Sequence, residues 1–493
     1  MAGSKLGGWR AAGVAALVGC ATVDPAGTAA SSLPQPALVD QTFALGAPSG
    51  SIAPLLDINM GPAPHGKGTG DLAALYLERG VARVRTHDFK GAFDLSAPDY
   101  SATDRMLTRI NSAGFGTYLR LGDSFGAGAT QAGKHELVRS MVGMVDHVQA
   151  GSDKAHPVQF VEVWNEPDNR EFWTQGDDAY IALYIAVSRE IRTRHPAVKI
   201  GGPALTPAGV LTQRGRTLVA RFLTEVKAAG APLDFLSWHL YSNHPEEFAS
   251  AAEFYREASV KAGFGDLDQH ITEWNTAFRA AKGSAEDARK KTGKAGDGGG
   301  KRRAGDNKRG GLEGDRDPAE QAERQAEKTD PQLRIGARAS ALTTASWIAL
   351  QLGGVDQAYF YRGPDPAPYP STFYGMFYND GRPKPAGYAA LLWKRMVDHP
   401  DRLDVTGSAR GPIWALAGRS ASGETAVLLA NESNRAVSWG LQCPAGAALP
   451  VRTESIRDAA TAVEAGTQPD CSGTLQAYEV RLLTVGRGGT DQG

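Results

Sequence analysis

Between residues 52 and 400 a short apolar run is followed by an amphipathic stretch again and again, eight times in all. That alternation constrains the fold more than any other feature of the chain. A strand that returns through a helix lands parallel to its neighbour, and eight such units close into a barrel more readily than they form an open sheet. Strands are predicted near Ile52–Asn59, Val81–His87, Gly116–Leu121, Val158–Trp164, Lys199–Pro203, Phe235–Tyr241, Gln269–Glu273 and Gly354–Tyr361. Helices are predicted at Asp71–Arg79, Asp99–Ala113, His135–Gln149, Asp178–Arg194, Thr217–Ala229, Glu247–Ala262, Pro331–Leu352 and Pro385–Val397. The fold class read from this pattern is α/β, a (β/α)8 TIM barrel over residues 41–400. Polar and aromatic residues gather at the C-terminal strand ends, the face on which such barrels carry their sites. After residue 401 the period changes to short strands with turns, which suggests a β-sandwich accessory domain over 401–493.

Two segments fall outside this scheme. Strands are mostly 30 to 45 residues apart, but about 80 separate the seventh from the eighth. The excess is segment 279–330, which holds Arg289-Lys290-Lys291, three consecutive glycines and Lys301-Arg302-Arg303, with almost no large apolar residue. Such a stretch cannot offset its ordering entropy by burial, so a disordered charged insertion is expected. Its basic runs read as solvated charge, with a clamp for an acidic polysaccharide or a membrane face as the alternative. At the N-terminus, Lys5 and Arg10 precede an apolar stretch, Ala11–Val18, too short to span a bilayer. It runs into Leu17-Val18-Gly19-Cys20-Ala21, which looks like a lipoprotein signal over residues 1–20, cleaved so that Cys20 is kept and lipidated, with 21–40 as a flexible tether. The alternative is a plain secretory signal cut nearer Ala29-Ala30. The expected location is the cell envelope, lipid-anchored or periplasmic. An oxidising compartment would let Cys443 and Cys471 form a disulfide. With a formal net charge of -1, the chain has no global basic field for nucleic acid, and three cysteines make neither a disulfide scaffold nor a zinc ribbon.

Chemistry concentrates at two strand ends. Strand four reads Phe160-Val-Glu-Val-Trp-Asn-Glu-Pro-Asp168, and strand seven His270-Ile-Thr-Glu-Trp-Asn-Thr276. In a barrel both open on the same face, so Glu166 and Glu273 can meet across one cleft. Two carboxylates flanking a glycosidic bond are what acid–base cleavage through an oxocarbenium-like transition state needs, with one held protonated and the other ionised. Glu162 reads as an interior carboxylate paired with Arg83 or Arg85, and Trp164 as core. His239 and Tyr241 end strand six, where Tyr241 either orients Glu273 or only packs. No zinc-protease helix motif is present, and His239 with His244 has no third ligand, so no metal is expected.

The chain resembles glycoside hydrolase family 39, within the clan of retaining barrel glycosidases. The resemblance rests on Trp164-Asn165-Glu166-Pro167 and Thr272-Glu273-Trp274-Asn275. It is supported by Val84-Arg85-Thr86-His87, Lys199–Pro203, Asp234–His239 and Asp380–Pro385. It implies that Glu166 is the acid/base, that Glu273 is the nucleophile, and that Asn165 binds the 2-hydroxyl of the cleaved sugar. His87, His239, Tyr241, Trp274 and Tyr361 are the further candidate sugar contacts. Many clan members carry a Trp at the end of strand eight, where this chain has Tyr359-Phe360-Tyr361. No cofactor is implied. The substrate expected is a poly- or oligosaccharide, most like a bacterial exopolysaccharide cleaved internally, with an exo-acting β-xylosidase as the alternative. The rival from another class is a non-catalytic polysaccharide-binding component of an export complex.

Overall fold

The structure, a computed structural model, describes residues 40–62, 70–87, 92, 97–122, 133–151, 158–278, 328–366, 369–407, 411–444, 446–457 and 461–486. The signal and lipidation expectations at Cys20, the tether up to residue 39, and residues 279–327 of the insertion lie outside the described residues.

The first strand, β1 (Gln41–Ser51), does not enter the barrel. The closed parallel barrel is β2 (Asp57–Asn59), β3 (Arg83–Arg85), β4 (Gly116–Leu121), β5 (Phe160–Val163), β6 (Lys199–Leu205), β7 (Phe235–Tyr241), β8 (Asp268–Asn275) and β9 (Gln357–Phe360), with β9 pairing back onto β2. Around it run α1 (Ala73–Glu78), α2 (Ser101–Ser112), α3 (Lys134–Gly151), α4 (Asp177–Arg194), the short α5 (Ala208–Leu211), α6 (Gln213–Ala228), α7 (Pro245–Lys261), the short α8 (Gln332–Ile335), α9 (Ala337–Leu352) and α10 (Pro385–Val397). Proline at the first turn starts both α7 and α10, where its missing N–H has no helical acceptor to lose. The helix expected over Pro331–Leu352 is two pieces, divided at Gly336.

The barrel interior is filled near the N-terminal ends of the strands. Tyr118, Phe235 and Tyr359 are fully buried there, with Phe160 packed against them and the His270 ring stacked 4.2 Å from Phe235. Gly201 makes this possible, because a Cβ there would sit 2.1 Å from the Phe235 ring. With that end closed by side chains, the C-terminal end is the one left for a site.

The accessory domain is a nine-stranded curled sheet. It adds β10 (Asp401–Thr406), β11 (Ile413–Arg419), β12 (Thr425–Asn431), β13 (Val437–Leu441), β14 (Val451–Ile456), β15 (Glu464–Gln468), β16 (Ser472–Leu475) and β17 (Val480–Val485). Strand β1 joins its two arms, since Gln41–Phe43 pair parallel with β13 while Ala44–Ser51 pair antiparallel with β10 through register shifts. Residues 41–51, expected in the barrel domain, therefore belong to the sheet, and the chain enters the barrel only at β2. The strands β10, β15 and β16 went unforeseen because their side chains are largely exposed and polar, so no apolar alternation marks them.

Strand β12 is buried on both faces. Val427 and Leu429 join Phe43, Trp439 and Leu483 in the core between the arms, while Ala426, Leu428 and Ala430 face the barrel's own core cluster. That second face meets α9 and α10. Helix α9 is buried on nearly every side, from Ala339 to Gln351, because the barrel covers one side and the sheet the other. Trp347 and Trp393 stack between these helices, and their indole N–H groups donate to the carbonyls of Leu55 and Pro54 (2.8 and 2.6 Å). Cys443 and Cys471 form the expected disulfide within the sheet, Cα atoms 5.3 Å apart.

Because α9 has no solvent face of its own, the barrel and the sheet should unfold together. Calorimetry of the whole chain should show one cooperative transition, and a chain ended at residue 400 should fail to accumulate as soluble protein. A stable, monomeric truncated barrel would contradict this packing argument.

Candidate active site

Arg85, the last residue of β3, is fully buried at the open end of the barrel and sets the site's geometry. Its Nε and Nη2 donate to Glu162 Oε2 (2.8 and 2.6 Å), and Nη2 also to Asn165 Oδ1 (2.8 Å). Its Nη1 donates to Asn59 Oδ1 and to Glu273 Oε1, both at 2.9 Å. The expectation of an interior Glu162 partner is met by Arg85, while Arg83 pairs with Asp57 (3.5 Å).

Two backbone departures aim the carboxylates. On β8 the pairing with β7 slips by one residue, so that Trp238 faces Ile271 but His239 faces Glu273. Thr272 is the extra residue of this bulge, and it reverses the in–out alternation that would otherwise turn Glu273 away from the cleft. After β5, Trp164 and Glu166 both take positive φ (75° and 48°), and the Glu166 N–H donates to the Ala204 carbonyl of β6 (3.0 Å). The turn sends the Glu166 side chain towards the barrel axis and Trp164 into the core, against Trp173 and close over Gly122.

The facing oxygens of Glu166 and Glu273, with His239 Nδ1 between them, all lie within 4.8 Å of one another. Glu273 Oε2 accepts from the Tyr241 hydroxyl (2.8 Å), and its Oε1 lies 3.3 Å from His87 Nε2. Glu166 Oε1 faces His239 Nδ1 (3.1 Å), and Oε2 accepts from the Asn169 amide (3.2 Å). Burial alone would raise the Glu273 carboxyl, but His239, His87 and Arg85 outweigh it and hold it well below the usual range. Burial pushes His87 below its ordinary value against the pull of Glu273. At His239 burial also lowers, yet Glu273 and Glu166 together raise it. Burial keeps the Tyr241 phenol protonated, so it remains a donor. Glu166, His239 and Glu273 also have the composition and spacing of a metal donor set, with the Arg85 guanidinium already paired to the Glu273 member.

The structure thus brings together Glu166, Glu273, Asn165, His87, His239, Tyr241 and, through ring contact with His87 (5.5 Å), Tyr361. It does not bring Trp274. That ring is 1% exposed and packs on Trp347, Phe360 and Phe248 between barrel and helices, because the bulge that turns Glu273 inward turns the next residue outward. The expected sugar contact at Trp274 is corrected to a core residue. His239 is also fully buried, and acts on the two carboxylates. Three contributors were not singled out from sequence: Arg85 as the organising cation, Asn59 and Asn169. Arg85 and His87, two apart on one strand, share a face, and that spacing was the available signal. Asn59 at the end of β2 and Asn169 in a turn carried none.

Residues 137–281, a stretch that holds both carboxylates, match the model of Glycosyl hydrolases family 39. That stretch is what the chain shares with the family. A β-xylosidase of Geobacillus stearothermophilus is 26% identical over 136 residues, 24% of this chain and 26% of that protein. A β-xylosidase of Caldicellulosiruptor saccharolyticus is 29% identical over 138 residues, 24% and 25% of the two chains. The matched stretch spans about a quarter of these relatives' length. Among solved structures, a monomeric β-xylosidase from Caulobacter crescentus CB15 superposes with a TM-score of 0.64 at 15% identity, over 91% of this chain and 100% of that one. A glucosidase from Croceicoccus marinus gives 0.63 at 19%, over 91% and 99%. At such identities the likeness is one of fold.

Tyr241→Phe removes a charge-assisted hydrogen bond to Glu273, so turnover of an aryl β-glycoside should fall about 10- to 100-fold. Glu273, with its carboxyl depressed, stays ionised until pH falls through that lowered value. The acid limb of the rate profile should therefore lie below the ordinary carboxylate range, and in Tyr241→Phe it should move up. An unshifted profile with unchanged turnover would show the phenol to be packing only.

Proposed function

We propose that this chain is a member of glycoside hydrolase family 39 and a retaining hydrolase working by double displacement. One observation carries the reading: facing carboxylate oxygens within 4.8 Å. Retaining sites hold their carboxyl groups about 5–5.5 Å apart, whereas inverting sites need about 6.5–9.5 Å for an intervening water.

The surroundings divide the labour. Glu273 faces a fixed guanidinium, an imidazole and a phenol, all of which favour the anion. As nucleophile its oxygen attacks the anomeric carbon, forming a glycosyl ester as the bond to the leaving oxygen breaks. Glu166 has no guanidinium against it, and its side chain is 13% exposed against 7% for Glu273. It gives its proton to the leaving oxygen, then takes one from the water that attacks the ester, which returns both acids to their starting states. Arg85 holds Asn165 by its carbonyl oxygen, which reserves the amide NH2 for the sugar 2-hydroxyl.

The reading extends to an exported enzyme, anchored through Cys20 and cleaving an exopolysaccharide internally at the cell envelope. The Leu17–Ala21 signal and the Cys443–Cys471 disulfide support export. The second reading is an exo-acting β-xylosidase, favoured by the names of the curated relatives. A purely binding component of an export complex has no need of two aligned acids.

Product release from the host exopolysaccharide, xylan and aryl β-glycosides tests these readings together, with proton NMR of the first-formed anomer. Retention is expected. Glu273→Gln should abolish turnover, and Glu166→Gln should lose about 10²–10⁴-fold, most on poor leaving groups. Oligosaccharides from polymer would establish internal cleavage, single sugars the exo reading, and an inverted product would overturn the mechanism. Cys20→Ser should shift the protein from the membrane fraction to the soluble envelope fraction.

A further inference from the structure

Beyond the catalytic pair, the loop that follows β9 carries a run of aromatic rings that the mechanism does not use. Tyr361 lies 5.7 Å from Tyr374, Tyr374 lies 5.2 Å from Phe373, and Phe373 lies 4.5 Å from Tyr369. The inner end touches the centre, since Tyr361 meets His87 and both Tyr361 and Tyr374 meet Tyr241. All four rings are only partly buried. Aromatic residues in a loop with room to collapse bury themselves, so partial exposure here calls for a cause.

The loop is tied down at several points. At its base, Asp365 and Lys384 form a buried ion pair (2.5 Å), and Asp365 also accepts from the Gly375 N–H (2.7 Å). Lys384 Nζ donates to the Phe373 carbonyl (2.9 Å). Tyr374 is fixed by its hydroxyl on the Phe278 carbonyl (3.1 Å) and by the Arg334 guanidinium 4.5 Å over its ring. Asn275, two residues after Glu273, donates to the carbonyls of Tyr361 and Tyr374 (2.6 and 3.1 Å), so the loop is registered on the same strand as the nucleophile. Rings placed before the ligand arrives lose little entropy on binding, and flat apolar faces suit the C–H faces of pyranose rings.

We propose that this loop is a binding wall for sugar units beyond the one bonded to Glu273, and that the occupant is the glycan chain of the substrate itself. Tyr361 and Tyr374 flank the reacting sugar, while Phe373 and Tyr369 stack on the units that follow. The proposal rests on the glycosidase reading, because the occupant is identified by the wall's continuity with the Glu166–Glu273 cleft.

Phe373 and Tyr369 touch none of the catalytic groups, so Phe373→Ala and Tyr369→Ala separate the wall from the chemistry. The probes are 4-nitrophenyl β-D-xyloside and β-1,4-xylo-oligosaccharides of two to six units, with binding measured by calorimetry in the Glu273→Gln background. Affinity should rise with length in the parent and lose about tenfold on the longest oligosaccharide in either variant. Binding of the aryl xyloside should not change, and Phe373→Tyr should restore the length effect. Equal losses on short and long ligands would mark the rings as structural, and an unchanged length profile would show that they bind no sugar; either overturns the wall. Absence of aryl xyloside turnover in the parent would instead count against the catalytic reading, and the binding arm still decides the wall.

Discussion

The structure turns on one buried guanidinium. Arg85 has no solvent to hydrate its charge, and an unpaired ion in that position would cost several kcal/mol. It meets acceptors from several parts of the barrel: Asn59 on β2, Glu162 on β5, Asn165 just beyond β5, and Glu273 on β8. Those acceptors converge only when the barrel is closed. Barrel closure and assembly of the site are therefore one event. Removing one buried partner would leave a charge uncompensated at about 3–5 kcal/mol, far more than an exposed pair contributes. Burial lowers both histidines; at His239 the two carboxylates Glu273 and Glu166 outweigh it, and at His87 the pull of Glu273 does not.

The barrel was legible because its signal is redundant. Most strands are short and apolar, most helices show a polar face, and the predicted element positions fall within a few residues of those observed. The candidate pair was legible for a different reason: Glu166 and Glu273 stand in motifs whose neighbours also match. What failed was alternation carried through a strand end. On β8, strict parity cannot foresee the bulge at Thr272, so it misplaces both residues that follow, one inward and one outward. After β5, the positive φ of Trp164 and Glu166 similarly ends the alternation. Backbone irregularities near a site are set by pairing between distant segments, and no local pattern encodes them.

The accessory sheet shows a second limit. Strand β1 pairs with β10 and β13, far later in the chain, and its exposure pattern alone marks no domain. Joining the sheet before and after the barrel has a mechanical result. The chain's barrel segment begins and ends on the same sheet, and Gln351 of α9 ties back to Ser51 and Ala53 at the entry point. The sheet thus covers helices that would otherwise expose apolar surface, on the flank of the barrel built from α9 and α10.

The two glutamates share one cleft and one histidine, yet their surroundings push them apart. Proximity alone would make them equivalent, with a single proton shared between like charges. The asymmetry comes from where fixed positive charge sits. Arg85 touches Glu273 and not Glu166, and Tyr241 adds a donor on the same side. Glu166 has an imidazole and a neutral amide, both of which can reorganise when a leaving oxygen arrives. The ion pair keeps Glu273 charged. His239, with Nδ1 3.1 Å from Glu166 and 3.9 Å from Glu273, senses both.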